Sequence, residues 1–183
     1  MRTFIAINLS EEIKNTIGGF ISKLSTLEPR ERFAKTDTLH VTLKFLGEVH
    51  EEKVNGIYLS LCDVLKGFGG FQLSIRGMGV FPSIKSPRVV WIGIDKSREI
   101  VQLYNHVETV CEGFGFSKEK RDFSPHITIV RLKDRISRDF KEQILINSHS
   151  LWGVIDVKGV EVMKSILTPH GAEYEVFRRI SLE

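Results

Sequence analysis

Two short segments of this 183-residue chain carry side chains suited to moving protons at a phosphate. His40-Val41-Thr42 and His126-Ile127-Thr128 each place an imidazole two residues before a hydroxyl. In an extended strand residues i and i+2 project to the same face, so each segment presents its histidine and threonine together and sends Val41 or Ile127 to the opposite, apolar side. Imidazole exchanges a proton near neutral pH, so one histidine can take a proton from water while its partner gives one to a leaving oxygen. Threonine hydroxyls can donate to non-bridging phosphate oxygens and stabilise the charge held there.

A single His-x-Thr would mean little, since six histidines and nine threonines placed at random give roughly 0.3 such pairs. Here the two belong to a longer gapless match of residues 39–46 with 125–132, in which Val41 meets Ile127, Leu43 meets Ile129 and Leu46 meets Leu132. The offset of 86 is near half the chain length, as two related lobes would give. A pair of structural, hydrogen-bonded strand histidines is the bland alternative. Zinc is a poorer one, because the histidines lack a short helical spacing and no carboxylate or thiol stands at a recognisable offset. Neither a metal nor a cofactor is expected.

Hydrophobic periodicity supplies the frame around these segments. Residues 2–9 alternate as a half-buried strand, and Ser10 with Glu11 and Glu12 starts a helix whose apolar face is Ile13, Ile17, Phe20, Ile21 and Leu24. The same spacing returns at Val54, Ile57, Tyr58, Leu61 and Leu65, and at Ile100, Val101, Tyr104, Val107 and Cys111. Strand-like runs occupy 39–46, 71–81, 88–94 and 125–132. A hairpin joins 157–167 to 172–182 around Thr168-Pro169-His170-Gly171, and a short helix capped by Ser137 covers 137–146. Hairpins beside helices predict an α+β architecture with largely antiparallel sheets. No Gly, Ser or Pro-rich linker divides the chain, so residues 1–183 read as one domain, with room for two lobes.

At 42% hydrophobic and 27% charged the composition excludes disorder and fibrous repeats. No apolar run approaches the roughly 18 residues a bilayer demands, and residues 1–9 are too short and strand-like for a signal peptide, so a cytoplasmic protein without membrane contact is expected. Cys62 and Cys111 lack paired spacing and read as small buried hydrophobes. The net charge of +3 is unevenly spread: residues 118–141 hold eight basic against four acidic side chains, either an anion-facing surface or a solvated face.

The paired motifs resemble those of the two-histidine (2H) phosphoesterases, within them the branch of RNA 2',3'-cyclic phosphodiesterases formerly called 2'-5' RNA ligases. Carrying the likeness are Met1-Arg2-Thr3-Phe4-Ile5-Ala6-Ile7, residues 40–47, Pro87-Arg88-Val89-Val90-Trp91-Ile92-Gly93 and Ser124-Pro125-His126-Ile127-Thr128-Ile129-Val130-Arg131. The resemblance implies a bilobal α+β fold with pseudo-twofold symmetry, two mainly antiparallel sheets and one motif per lobe. It further implies metal-independent hydrolysis of RNA 2',3'-cyclic phosphate ends to 2'-phosphate. His40 would be proton donor to the leaving 3' oxygen and His126 the base for water, roles that the residues alone leave unassigned. Thr42 and Thr128 would bind the phosphate, and Phe45 and Arg131, each five residues after its histidine, would hold the nucleobase.

An odd offset of five points Phe45 and Arg131 away from the histidines in a regular strand, so only a bulge, strand twist or strand end brings them to the groove. Core packing therefore stands beside base stacking for Phe45, whereas Arg131 favours an anion or base contact. His50, His106, His149 and His170 lack a threonine partner and read as surface histidines, and Trp91 reads as core. Joining of ends as a 2'-5' RNA ligase would use the same acid and base in reverse. A non-catalytic RNA or nucleotide-binding module and a metal-dependent hydrolase are the competing classes. RNA ends are the only partner expected, and the chain reads as a monomer.

Overall fold

A computed structural model describes residues 1–133, 135–169 and 171–183. Along the described chain run β1 (Arg2–Asn8), α1 (Glu11–Leu27), β2 (Arg32–Phe33), a 3₁₀ turn (Thr36–Thr38), β3 (His40–Glu48), α2 (Glu51–Val64), β4 (Phe71–Ser83) and β5 (Ser86–Ile94). There follow α3 (Arg98–Gly113), β6 (His126–Arg131), α4 (Arg138–Ile146), β7 (Leu151–Val157), β8 (Gly159–Thr168) and β9 (Gly171–Ser181). Two antiparallel sheets result, one ordered β3-β1-β8-β9 and the other β2-β6-β5-β4-β7. The α+β expectation holds.

Local chemistry explains the element boundaries. Ser10, Ser97 and Ser137 each accept a hydrogen bond from the backbone N–H three residues on, which satisfies a donor that the first helical turn leaves orphaned. The apolar stripes of the helices then meet the inner faces of both sheets in one continuous core. Ile5, Val41 and Val160 come to it from the first sheet, Leu73, Val90 and Ile127 from the second, and Ile17, Ile57, Leu103 and Phe140 from the helices. The first sheet draws on both ends of the chain and the second on its middle, so the motif strands β3 and β6 lie in different sheets. Two strands escape the sequence reading: β2, only two residues long, and β7, where Leu151 and Val154 are exposed and Gly153 interrupts the alternation.

Thr168 and Gly171 pair at the hairpin turn; His170, expected in that turn, and Asp134, in the basic run, lie outside the described residues. Among the described residues no helix is long and apolar enough to cross a membrane. Cys111 is fully buried and Cys62 half-buried, both as free thiols, and burial pushes the Cys111 thiol up to about 12.

β3 is fastened to α3 by an ion pair shielded from solvent. Lys44 Nζ lies 2.7 Å from Glu108 Oε1 and donates to the Ser117 carbonyl at 2.7 Å, while Glu108 Oε2 accepts the Glu119 N–H at 2.9 Å. Removing one partner of such a pair strands a charge in the interior. Lys44→Met is expected to lower the unfolding free energy in urea by about 3 kcal/mol, and Lys44→Met/Glu108→Leu to regain most of it. A neutral single variant would show that the pair does not hold the sheet to the helix.

Candidate active site

Register explains how six candidate side chains reach one groove. His40, Thr42 and Phe45 of β3 stand opposite Asn8, Ala6 and Phe4 of β1, which are alternate residues and so share a face. The odd offset of Phe45 is absorbed by one extra residue, Leu43, bulged between Thr42 and Lys44. β6 repeats the device: His126, Thr128 and Arg131 stand opposite Gly93, Trp91 and Val89, with Ile129 as the extra residue. Leu43 and Ile129 are the matched positions of the repeat, and both are buried. A groove of about 1850 Å³ is lined by His40, Thr42, Phe45, His126, Thr128 and Arg131 together. Phe45 is 63% exposed there, which sets aside core packing for it.

Both imidazoles are fixed in the same way. His40 Nδ1–H donates to the Thr38 carbonyl at 2.7 Å and His126 Nδ1–H to the Ser124 carbonyl at 2.7 Å, each two residues upstream. Those acceptors select the tautomer and leave the Nε2 lone pair available to accept a proton. His40 Nε2 lies 3.0 Å from Thr42 Oγ1.

Their surroundings differ. His40 packs against Phe4, with ring centroids 4.8 Å apart, and edge-on to Tyr174 at 5.3 Å. Burial holds the His40 pKa below 6.5, against the Thr38 carbonyl bond that raises it, and the positive charges of Lys14, His126 and Arg131 lower it further. His126 stands edge-on to Phe81 at 5.2 Å and 6.3 Å from Trp91.

Trp91 corrects the sequence reading. It is half-buried, lies outside the hydrophobic core and stands opposite Thr128 on the groove side of β5. Val90, Ile92 and Ile94 face the core, so the unbroken apolar run hid an ordinary alternation. The indole lies across Gly79, where an added Cβ would come within 2.5 Å of the ring. Phe4, Phe81 and Tyr174 also escaped the sequence reading, since only the register reveals that they face the imidazoles. His50 and His149 are exposed, His106 is half-buried edge-on to Phe68 at 5.8 Å, and none of the three lines the groove.

The basic run divides. Lys118, Lys120, Arg121 and Arg131 line the groove, joined by Arg2, Arg32, Lys35 and Lys44 from earlier in the chain, while Lys133, Arg135, Arg138 and Lys141 do not. Three acidic residues, Glu108, Glu119 and Asp122, share the lining. Among the described residues no three His, Cys, Asp or Glu side chains cluster as metal ligands.

This two-sheet architecture recurs in solved structures. The crystal structure of TT0787 from Thermus thermophilus matches with a TM-score of 0.80 at 28% identity, covering 100% of this chain and 98% of that one. Escherichia coli LigT in its apo form matches with a TM-score of 0.77 at 27% identity, covering 98% and 96%. Residues 13–165 match the 2'-5' RNA ligase superfamily, and the chain belongs to that superfamily. A relative from Thermotoga maritima, 34% identical over 183 residues with 100% of this chain and 96% of the relative covered, bears the name RNA 2',3'-cyclic phosphodiesterase.

The depressed His40 pKa fixes the sign of a pH effect. On acidification the unfolded chain takes up this proton first, near pH 6.5, so His40 costs nothing above that pH and removes stability as pH falls through its folded pKa. An NMR titration of the ring protons should give a midpoint below 6.5, and His40→Gln should flatten the stability loss over that window. A midpoint at or above 6.5 would contradict the burial argument.

Proposed function

We propose that this protein hydrolyses RNA 2',3'-cyclic phosphate ends to 2'-phosphates by acid–base catalysis between His40 and His126, without a metal. One observation carries the reading. Two strands from different sheets present matching His, Thr and bulge-displaced side chains to one groove, each imidazole with its Nδ1 occupied by a carbonyl. The name borne by the full-length relative supports the substrate class.

In the proposed reaction His126 Nε2 takes a proton from water as its oxygen attacks phosphorus. The bond from phosphorus to the 3' oxygen breaks, and His40 delivers its Nε2 proton to that oxygen. Desolvation makes the His40 imidazolium a stronger acid than a free imidazolium, which suits it to donate. Thr42 and Thr128 donate hydroxyl hydrogen bonds to the non-bridging oxygens. The exposed ring of Phe45 and the planar guanidinium of Arg131 offer flat faces to the nucleobase. Residues 1–183 act as one bilobal unit, with RNA as the partner and no obligate protein subunit.

With excess chelator present, the wild type should convert a short RNA with a 2',3'-cyclic end to its 2'-phosphate. His40→Ala and His126→Ala should each lower kcat/KM by about 10² to 10⁴. Full activity in either variant, or loss of activity on chelation, would overturn the assignment. Phe45→Ala should raise KM by roughly tenfold with kcat largely retained, since base stacking on an aromatic contributes about 1–3 kcal/mol. A KM unchanged in this variant would remove Phe45 from base binding.

A further inference from the structure

The carbonyl that holds His40 sits on a turn, and that turn rests on a helix. Thr38 O accepts the Nδ1–H of His40 at 2.7 Å, and the 3₁₀ turn Thr36–Thr38 that presents it packs against α1. The contact falls at Gly18, buried in mid-helix. A Cβ built there would lie 2.8 Å from Thr36 Cγ2, 3.2 Å from Thr36 Cβ and closest of all to Thr36 Oγ1. Carbon atoms settle about 3.5–4.0 Å apart, so any side chain at this position must push the turn away. Thr36 cannot yield by itself, because it is short and β-branched and turning about χ1 leaves at least one branch toward α1.

The turn transmits that push. The Thr38 N–H and Oγ1–H both donate to the Lys35 carbonyl, at 3.0 and 2.8 Å, so residues 35–38 move as one piece. Leu39, fully buried, pins the chain beyond them, so a shift at Thr36 changes the angle at which the Thr38 carbonyl meets the imidazole. A hydrogen bond weakens steeply as it bends. Lys14, one helical turn before Gly18 and buried on the same face, lowers the His40 pKa by its charge, so this face of α1 already acts on that ring. For His126 the acceptor is the Ser124 carbonyl, in the stretch between α3 and β6, so the two imidazoles can be disturbed separately.

We propose that Gly18 is a positioning residue for His40: its missing side chain lets the turn seat against α1 at the depth that aims the Thr38 carbonyl at Nδ1. Its kinetic consequence rests on the catalytic reading proposed above; its geometric consequence does not.

Gly19 supplies the control, since it is exposed in the same helix and an added Cβ there meets nothing within 4 Å. On a short RNA with a 2',3'-cyclic end, Gly18→Ala should lower kcat by about tenfold or more, as a misplaced catalytic group does, with KM within about twofold of the wild type. Gly19→Ala should match the wild type, alanine being the better helix former. In a Thr36→Ala background, which removes both crowding branches, Gly18→Ala should cost less than about twofold in kcat. Two-bond nitrogen–proton NMR spectra of the histidine rings read the same geometry without turnover. Gly18→Ala should move His40 from a single Nδ1–H tautomer toward a mixture and leave the His126 signals in place. Unchanged kcat or His40 signals, an equal shift at both rings, a Gly18→Ala chain that does not fold, the same loss in Gly19→Ala, or no relief in the Thr36→Ala background would each overturn the inference. No hydrolysis by the wild type, found with a His40 signal that depends on Gly18, would defeat the catalytic reading and leave Gly18 as the residue that orients the ring.

Discussion

Strand alternation is the constraint on which this groove depends. A regular strand offers its partner every second side chain, yet each motif strand places residues 0, 2 and 5 counted from its histidine on one face. Only an inserted residue satisfies both demands. Leu43 and Ile129 supply it at matched positions, each sending an apolar side chain to the core while shifting the following residues by one. The backbone at the second bulge is not left unsatisfied, because the Ile129 carbonyl accepts the Ala34 N–H at 2.8 Å. Short β2 is thereby tied to the bulge that sets the groove.

Identical backbone arrangements hold imidazoles of different character. In both motifs the carbonyl two residues upstream takes Nδ1–H, so tautomer and ring orientation come from the local chain alone. The contrast is tertiary. Phe4 and Tyr174 enclose His40, and buried Lys14 of α1 adds positive potential, whereas His126 rests on Phe81 and Trp91. A repeated motif can thus orient two imidazoles alike while packing, not the motif, depresses the His40 pKa.

Much of this frame was legible in the sequence, for reasons that also mark where reading stops. Capped helices and the motif strands announce themselves through local periodicity, so α1, α3, α4, β3 and β6 fall close to expectation. Bulges have no local signature, and Phe45 could not be placed until the β1 register showed Leu43 unpaired. Trp91 misled because Val89, Val90, Trp91 and Ile92 are all apolar, and composition cannot say which face of a strand meets core and which meets a groove. The basic run was left open between an anion-facing and a solvated face, and it divides because residues adjacent in sequence leave a strand on different courses, so Arg131 reaches the groove and Lys133 does not.

The two motif strands also differ in how their outer sides are covered, and this accounts for the unlike residues Lys44 and Val130 at matched positions. β6 has β2 beyond it, so Val130 can be buried opposite Phe33. β3 is the edge of its sheet, where exposed backbone groups invite foreign pairing or fraying. Lys44 meets that hazard by reaching Glu108 of α3 and the Ser117 carbonyl. Glu108 in turn holds the Glu119 N–H, at the start of the stretch that carries Lys120 and Arg121 along the groove. Beside it Tyr104 stacks on Phe123 at 3.9 Å, its hydroxyl pushed up to about 12 by burial and by the Glu108 and Glu119 charges, so it stays neutral. A buried ion pair repays its desolvation only when its remaining hydrogen-bonding groups are satisfied. Here Lys44 Nζ and Glu108 Oε2 each hold a backbone group of the segment that must be held still, so the charge that secures the edge strand also shapes the groove wall.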